Sequence, residues 1–271
     1  AGLVERYQEG SWVFVRAAAD PAIRELVSRA LAMIADDDPQ FVIDRERADA
    51  IRAGRAALAQ AYFDANAAEW DRIRALHVAE RDVEAAILDA LGPGPCDLLL
   101  DLGTGTGRIL ELARDRARQL AGIDRSREML KCARVRIDKA GLSNCGVRLA
   151  DIYNLPFPEN SADAAIIHQV LHFLDNPKAA LAEAARVLKP EGRLVIVDFA
   201  PHKLEFLREE HAHLRLGFPE AEMAAWLADC GIASSSYREL PAGAKGENAL
   251  TVAVWTGQKA KAATKQWRAA S

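Results

Sequence analysis

The run Leu98-Leu99-Leu100-Asp101-Leu102-Gly103-Thr104-Gly105-Thr106-Gly107 constrains the fold more than any other stretch of the chain. Its short continuous apolar start is what a central parallel strand needs when both of its faces are buried. Ile109, Leu110 and Leu112 then begin a helix. Strand, Gly-rich turn and helix in that order describe a nucleoside-binding βα unit, because glycine lets backbone approach a ligand without a Cβ in the way. The spacing is G-x-G-x-G, not the dinucleotide G-x-G-x-x-G, and an acid, Asp101, precedes the turn. A pyrophosphate there would meet a carboxylate, whereas a ligand with a cationic amino group would be stabilised by it. The pattern favours S-adenosylmethionine (SAM), which carries an ammonium and a sulfonium and no phosphate, over a nicotinamide or flavin dinucleotide.

Further markers follow at the spacing of a doubly wound sheet. Ala121-Gly122-Ile123-Asp124 reads as the end of a second strand, and an acid there can accept both ribose hydroxyls. Ser126 is placed to cap a helix whose inner side carries Met129, Leu130, Ala133 and Ile137. A third strand, residues 147–150, ends at Asp151-Ile152, a carboxylate for the adenine amino group beside an apolar side chain for the ring.

Half of the 271 residues are hydrophobic, 27% are charged and the mean hydropathy is −0.09, which excludes a disordered or collagen-like chain. A net charge of −4 argues against nucleic-acid binding through bulk charge. No apolar run reaches the roughly 18 residues that would cross a bilayer, and the N-terminus lacks a signal-peptide layout, so a cytoplasmic protein without membrane contact is expected. Cys96, Cys132, Cys145 and Cys230 form no CxxC and read as reduced thiols. Residues 3–16 alternate around Glu9-Gly10-Ser11 as a β-hairpin. After Asp20-Pro21, the residues Ile23, Leu26, Val27, Ala30, Leu31 and Ile34 form the apolar stripe of a helix. The acidic Asp36-Asp37-Asp38-Pro39 is a break, residues 41–91 read as helical with an aromatic cluster at Tyr62, Phe63 and Trp70, and Gly92-Pro93-Gly94-Pro95 is a strong breaker. The expected organisation is 1–40 hairpin and dimer helix, 41–95 helical linker or lid, 96–257 catalytic domain and 258–271 basic tail.

Asp101 to Gly107, Asp124, Ala150-Asp151, a fourth strand Ala164-Ala165-Ile166-Ile167 followed by residues 168–174, and the stretch from Arg186 to Phe199 together resemble the class I SAM-dependent methyltransferases. The resemblance implies an α/β fold, a Rossmann-like seven-stranded class I methyltransferase sheet with an antiparallel final hairpin, here Ser236–Leu240 with Leu250–Trp255, behind a helical N-terminal extension. It also implies that Asp101 and Gly103, with Thr104 and Gly105, line the methionine end. Asp124, with Arg125 and Met129, then holds the ribose side, Asp151 and Ile152 hold adenine, and His168 ends the fourth strand beside the transferred methyl. Residues 198–218, with Trp70 to Arg74 upstream, resemble ArsR-type regulators fused to a methyltransferase, and the N-terminal hairpin and helix are similar to the wing and dimer helix of that family. A homodimer through residues 21–36 is therefore expected. Nothing before Ala1 supplies a recognition helix, so DNA binding by this chain is in doubt.

Methyl transfer from a sulfonium is an in-line displacement driven largely by alignment and exclusion of water, with a base optional. His168 and His172 follow the fourth strand, and their spacing on a helix would put both on one face as catalytic candidates. After the fifth strand, His202, Glu205, His211 and His213 gather. In a helix His211 and Arg215 share a face and His213 points elsewhere, a poor metal geometry, so no metal is expected. Arg208, His211 and Arg215, with Trp70, are candidates to bind an anionic or phenolic acceptor. Arsenite methylation would need thiolates near the methyl, and residues 168–174 contain no Cys. The expected function is a SAM-dependent methyltransferase acting on a small molecule, with S-adenosylhomocysteine as product. The alternative is a SAM- or S-adenosylhomocysteine-binding sensor domain of an ArsR-type regulator.

Overall fold

The computed structural model describes residues 2–9, 12–17, 20–35, 37–75, 80–240 and 250–261. The chain divides into two compact units, Ala1–Ala57 and Leu58–Ser271. The N-terminal unit holds β1 (Val4–Glu9) and β2 (Trp12–Ala17), antiparallel with Val4 opposite Ala17 and Glu9 opposite Trp12. The Gly10-Ser11 turn expected between them lies outside the described residues. Helix α1 (Pro21–Leu31) starts where the sequence indicates: Asp20 accepts the N–H groups of Ala22 and Ile23 at 2.8 and 3.3 Å, and Pro21 occupies the first turn. Its apolar stripe stays exposed within the chain, Leu26 at 59% and Leu31 at 54%. The acidic break is a helix cap as well, since Asp38 Oδ1 accepts from the Gln40 and Phe41 N–H groups at the start of α2 (Pro39–Asn66).

The division between the units falls inside α2, so the stretch expected to be a separate linker contributes to both. In the second unit a 3-10 turn (Ala67–Glu69), α3 (Trp70–Ala75) and α4 (Glu80–Leu91) precede the sheet. Strands and helices then alternate: β3 (Cys96–Leu102), α5 (Arg108–Leu112), β4 (Ala117–Asp124), α6 (Arg127–Ala140), β5 (Cys145–Leu149), β6 (Ala162–His168), α7 (Pro177–Val187) and β7 (Leu188–Phe199). After them come α8 (Phe206–Glu210), α9 (Glu220–Asp229), β8 (Ile232–Leu240) and β9 (Val252–Lys259).

The sheet order is β5-β4-β3-β6-β7-β9-β8, with β9 antiparallel to both of its neighbours and the other pairs parallel. This is the seven-stranded arrangement with a terminal antiparallel hairpin that the sequence led us to expect. Period-two alternation fills both faces: Leu100 and Leu102 join one core cluster and Leu99 the other, as Leu194 and Ile196 oppose Val195 and Val197 on β7. Helix α6 buries Met129, Leu130, Ala133 and Ile137, capped by Ser126 at its start and by Gly141 in the left-handed region at its end. The basic segment starts later than expected, because Lys259 belongs to β9; residues 262–271 lie outside the described residues. The chain leaves β3 in opposite directions to form β4 and β6, which opens a crevice at the carboxyl ends of these strands.

Candidate active site

At the end of β3 the chain turns through Gly103, Gly105 and Gly107, all at positive φ. At Gly103 the constraint is also steric: a Cβ there would come within 2.5 Å of Val170 Cγ2. The Gly103 and Thr104 N–H groups donate to the Ile123 carbonyl, and the Thr104 hydroxyl donates to Asp101 Oδ2 at 2.6 Å, with Asp101 only 1% exposed. Asp124 accepts the Gly105 N–H through Oδ2 and the Ser126 N–H through Oδ1, both at 2.8 Å. Burial raises the Asp124 carboxyl above its ordinary pKa, against the pull of the backbone N–H groups of Ser126, Gly105 and Arg125. Asp151 follows β5; its Oδ1 accepts from the Tyr153 N–H at 3.0 Å, and Arg125 Nη1 lies 3.7 Å from its Oδ2. Ile152 is buried beside it, and Met129 is buried in the first turn of α6. Three carboxylates at the ends of three neighbouring strands suit a cationic, ribose-bearing ligand and repel a phosphate.

Next to this edge a cavity of about 40 Å³ has an aromatic wall of Tyr62, Trp70, Phe173 and Phe199 and a polar set of Gln169, His172, His211 and His213. Tyr62 OH lies 2.8 Å from His211 Nδ1, and Phe63 and Phe173 meet edge to face with ring centres 4.7 Å apart. Gln169 is buried and left-handed at φ 54°, an unusual conformation for a non-glycine residue. His172, 2% exposed, places Nδ1 2.7 Å from Oδ1 of the fully buried Asp198, which also accepts the Phe199 N–H at 2.8 Å. The His213 ring lies 4.2 Å from that of His172 and stacks on Phe199 at an interplanar angle of 16°. His202 is pushed down to about 4 by burial and by the neighbouring His172.

Two helical expectations fail here. His168 and His172 share no helix face, because His168 is the last residue of β6 and a 3-10 turn (Leu171–Phe173) carries His172 back toward β7. The helix expected through residue 215 stops at Glu210. Ala212 is left-handed at φ 57°, and the N–H groups of Leu214 and Arg215 donate to the His172 carbonyl instead of continuing a helix. His213 therefore turns inward. Arg208 donates to the Leu214 carbonyl, while Arg215 reaches the Asp175 carbonyl at 3.4 Å and lies over Trp226, so neither lines the cavity; Trp70 and His211 do. Asp198 was not singled out from the sequence as a site residue. For Asp198 a signal exists, an acid closing the otherwise apolar Leu194-Val195-Ile196-Val197 run. Among the described residues no group of three His, Cys, Asp or Glu side chains could hold a metal ion, and no helix is long and apolar enough to cross a membrane.

Residues 100–196 match the family profile of a methyltransferase domain. A demethylmenaquinone methyltransferase from Renibacterium salmoninarum is 30% identical over 186 residues, which cover 58% of this chain and 75% of that protein. The chain belongs to the class I SAM-dependent methyltransferases. Its cofactor is SAM. The fold of this methyltransferase superposes on a SAM-dependent methyltransferase from Aquifex aeolicus with a TM-score of 0.53 at 25% identity, covering 65% of this chain and 88% of that one. A transposon protein of Streptomyces fradiae is 41% identical over 121 residues, 44% of the methyltransferase chain; the match spans about a third of that relative, 34% of its length.

Proposed function

We propose that the aromatic cavity receives a small neutral methyl acceptor and that His172 takes the proton which the acceptor gives up. The observation that carries this reading is the His172–Asp198 pair: a wholly buried carboxylate bonded to Nδ1 of a histidine that lines the cavity. Asp198 already collects backbone N–H groups, and its carboxylate favours the proton on Nδ1, which leaves Nε2 as the acceptor. Bound SAM supplies an electrophilic methyl group on a sulfonium. Asp101, Gly103, Thr104 and Gly105 are assigned to its methionine end, Asp124 with Arg125 and Met129 to the ribose side, and Asp151 with Ile152 to adenine. His168, at the end of β6, is assigned to the cofactor side, and Trp70 and His211 to the acceptor.

Among the described residues the cavity lining contains no Lys, Arg, Asp or Glu, which favours an apolar body with an ionisable hydroxyl or an acidic carbon over an anionic acceptor. The Renibacterium relative, by its name, acts on demethylmenaquinone, which supports the same choice. The test is a product screen of phenols, quinols and amines with SAM, followed by His172→Asn on the best acceptor. Turnover is expected to fall by about 10²- to 10⁴-fold with SAM affinity retained. Undiminished turnover in the variant would remove His172 from the chemistry.

For the N-terminal unit we propose the wing and dimer helix of an ArsR-type regulator, with the exposed Leu26 and Leu31 stripe covered by a second copy. The order of hairpin, capped helix and exposed stripe supports it. The four free thiols fit a reducing, cytoplasmic setting.

A further inference from the structure

The residues that follow Trp70 are tied to the cofactor turn by contacts that the chemistry above leaves unused. The two threonines of the turn grip in different places. Thr104 bonds inward to Asp101, whereas the buried Thr106 donates its hydroxyl to Asp71 Oδ1 at 2.7 Å and accepts from Arg136 Nη1 at 3.2 Å. Arg136 closes the triangle by donating to Asp71 Oδ2. Arg136 Nε also lies 3.6 Å from Glu111, Glu111 accepts from Arg108 at 3.1 Å, and Arg108 holds Glu84 through two bonds of 2.6 and 2.8 Å. Charge thus alternates from α4 through α5 and α6 to α3 around the exit of the turn. Beside Asp71, the Trp70 indole faces Gly105: a Cβ on that glycine would lie 3.6 Å from Nε1. A turn with three glycines has little conformational restraint of its own, so its shape depends on what holds it from outside.

We propose that Asp71 is a positioning residue for the cofactor: through Thr106 and Arg136 it holds the Gly103–Gly107 turn against the Trp70 segment, and so sets how long the nucleoside stays bound. Asp71 is not among the residues that line the cavity, and its effect is on residence time and not on the methyl-transfer step. The inference rests on placing SAM at this turn. The Asp71 side chain is 40% exposed and that of Arg136 23%, so the pair can be broken without leaving a deeply buried charge behind.

The experiment measures S-adenosylhomocysteine binding to the full chain by calorimetry and its release by stopped flow, beside ligand-free thermal unfolding. Asp71→Asn is expected to speed release about tenfold and to weaken the Kd by a similar factor, as for loss of a charge-assisted hydrogen bond. The unfolding midpoint should move little. Thr106→Val should act in the same direction, Thr106→Ser should restore wild-type release, and the double variant Asp71→Asn with Thr106→Val should lose less than the sum of the two single losses. Asp124→Ala separates the two ideas. If it leaves wild-type affinity unchanged, the placing of SAM at this turn fails. If it weakens binding while Asp71→Asn and Thr106→Val both keep wild-type release rates, the placing stands and the positioning role is overturned.

Discussion

His202, near the His172–Asp198 pair, gives the molecule a pH signature separate from its chemistry. His202 is partly buried, its Nδ1 accepts the Leu204 N–H at 3.3 Å, and burial with the nearby His172 lowers it from 6.5 to about 4. In the unfolded chain His202 takes up a proton near 6.5, while the folded chain does so only near 4. Between these values the unfolded state binds more protons, so stability should rise with pH from about 4 to 6.5. Urea denaturation across that range checks it: His202→Phe should flatten the slope, and an unchanged slope would place its origin elsewhere. Single residues were legible in the sequence where a local rule fixes them. Asp101, Asp124 and Asp151 each close a strand, and the structure puts all three at one edge. The partnership of His172 with Asp198 was not legible, because it depends on Gln169 adopting a left-handed backbone that no residue type at that position announces.

Elements announced themselves when their ends carried chemistry. Asp20 and Ser126 cap α1 and α6, and each accepts a backbone N–H of the following turn. Helix α8 lacked such a stop: the apolar and charged spacing from Arg208 to Arg215 fits a helix, but the chain turns left-handed at Ala212 and the Leu214 N–H bonds the His172 carbonyl. That bond joins residues about forty positions apart and leaves no local trace. At this scale α1 carries its own prediction. A stripe with Leu26 and Leu31 more than half exposed is costly in water at roughly 25 cal/mol per Å² of apolar surface, so a second copy should cover it. Sedimentation at micromolar concentration should find a dimer, with Leu26→Asp plus Leu31→Asp sedimenting as a monomer. A wild-type monomer at that concentration would end the idea.

The whole molecule differs from the domain plan in the sequence mainly at Gly92-Pro93-Gly94-Pro95. The breaker is real, but it is a tight connection inside one unit: Arg116 Nη1 donates to the Gly92 carbonyl at 3.0 Å and Arg193 Nη1 to the Ala90 carbonyl at 3.0 Å, so side chains from later in the chain hold the end of α4 where the breaker begins. The break between units lies instead within a continuous helix, where periodicity gives no sign of it. The seven-stranded sheet with its antiparallel final hairpin was expected from the resemblance to the class I methyltransferases, and the structure adds the strand order. The same order carries a cost during synthesis. β9 is inserted between β7 and β8, pairing with seven consecutive residues of β7 from Arg193 to Phe199. A chain stopped before Val252 would leave that row of β7 amides and carbonyls open, and should bind a hydrophobic dye, aggregate and fail to hold S-adenosylhomocysteine; a well-behaved truncated monomer would contradict this. On the ribosome, therefore, the strand bearing Asp198 waits as a raw edge for more than fifty residues until Val252–Lys259 emerges.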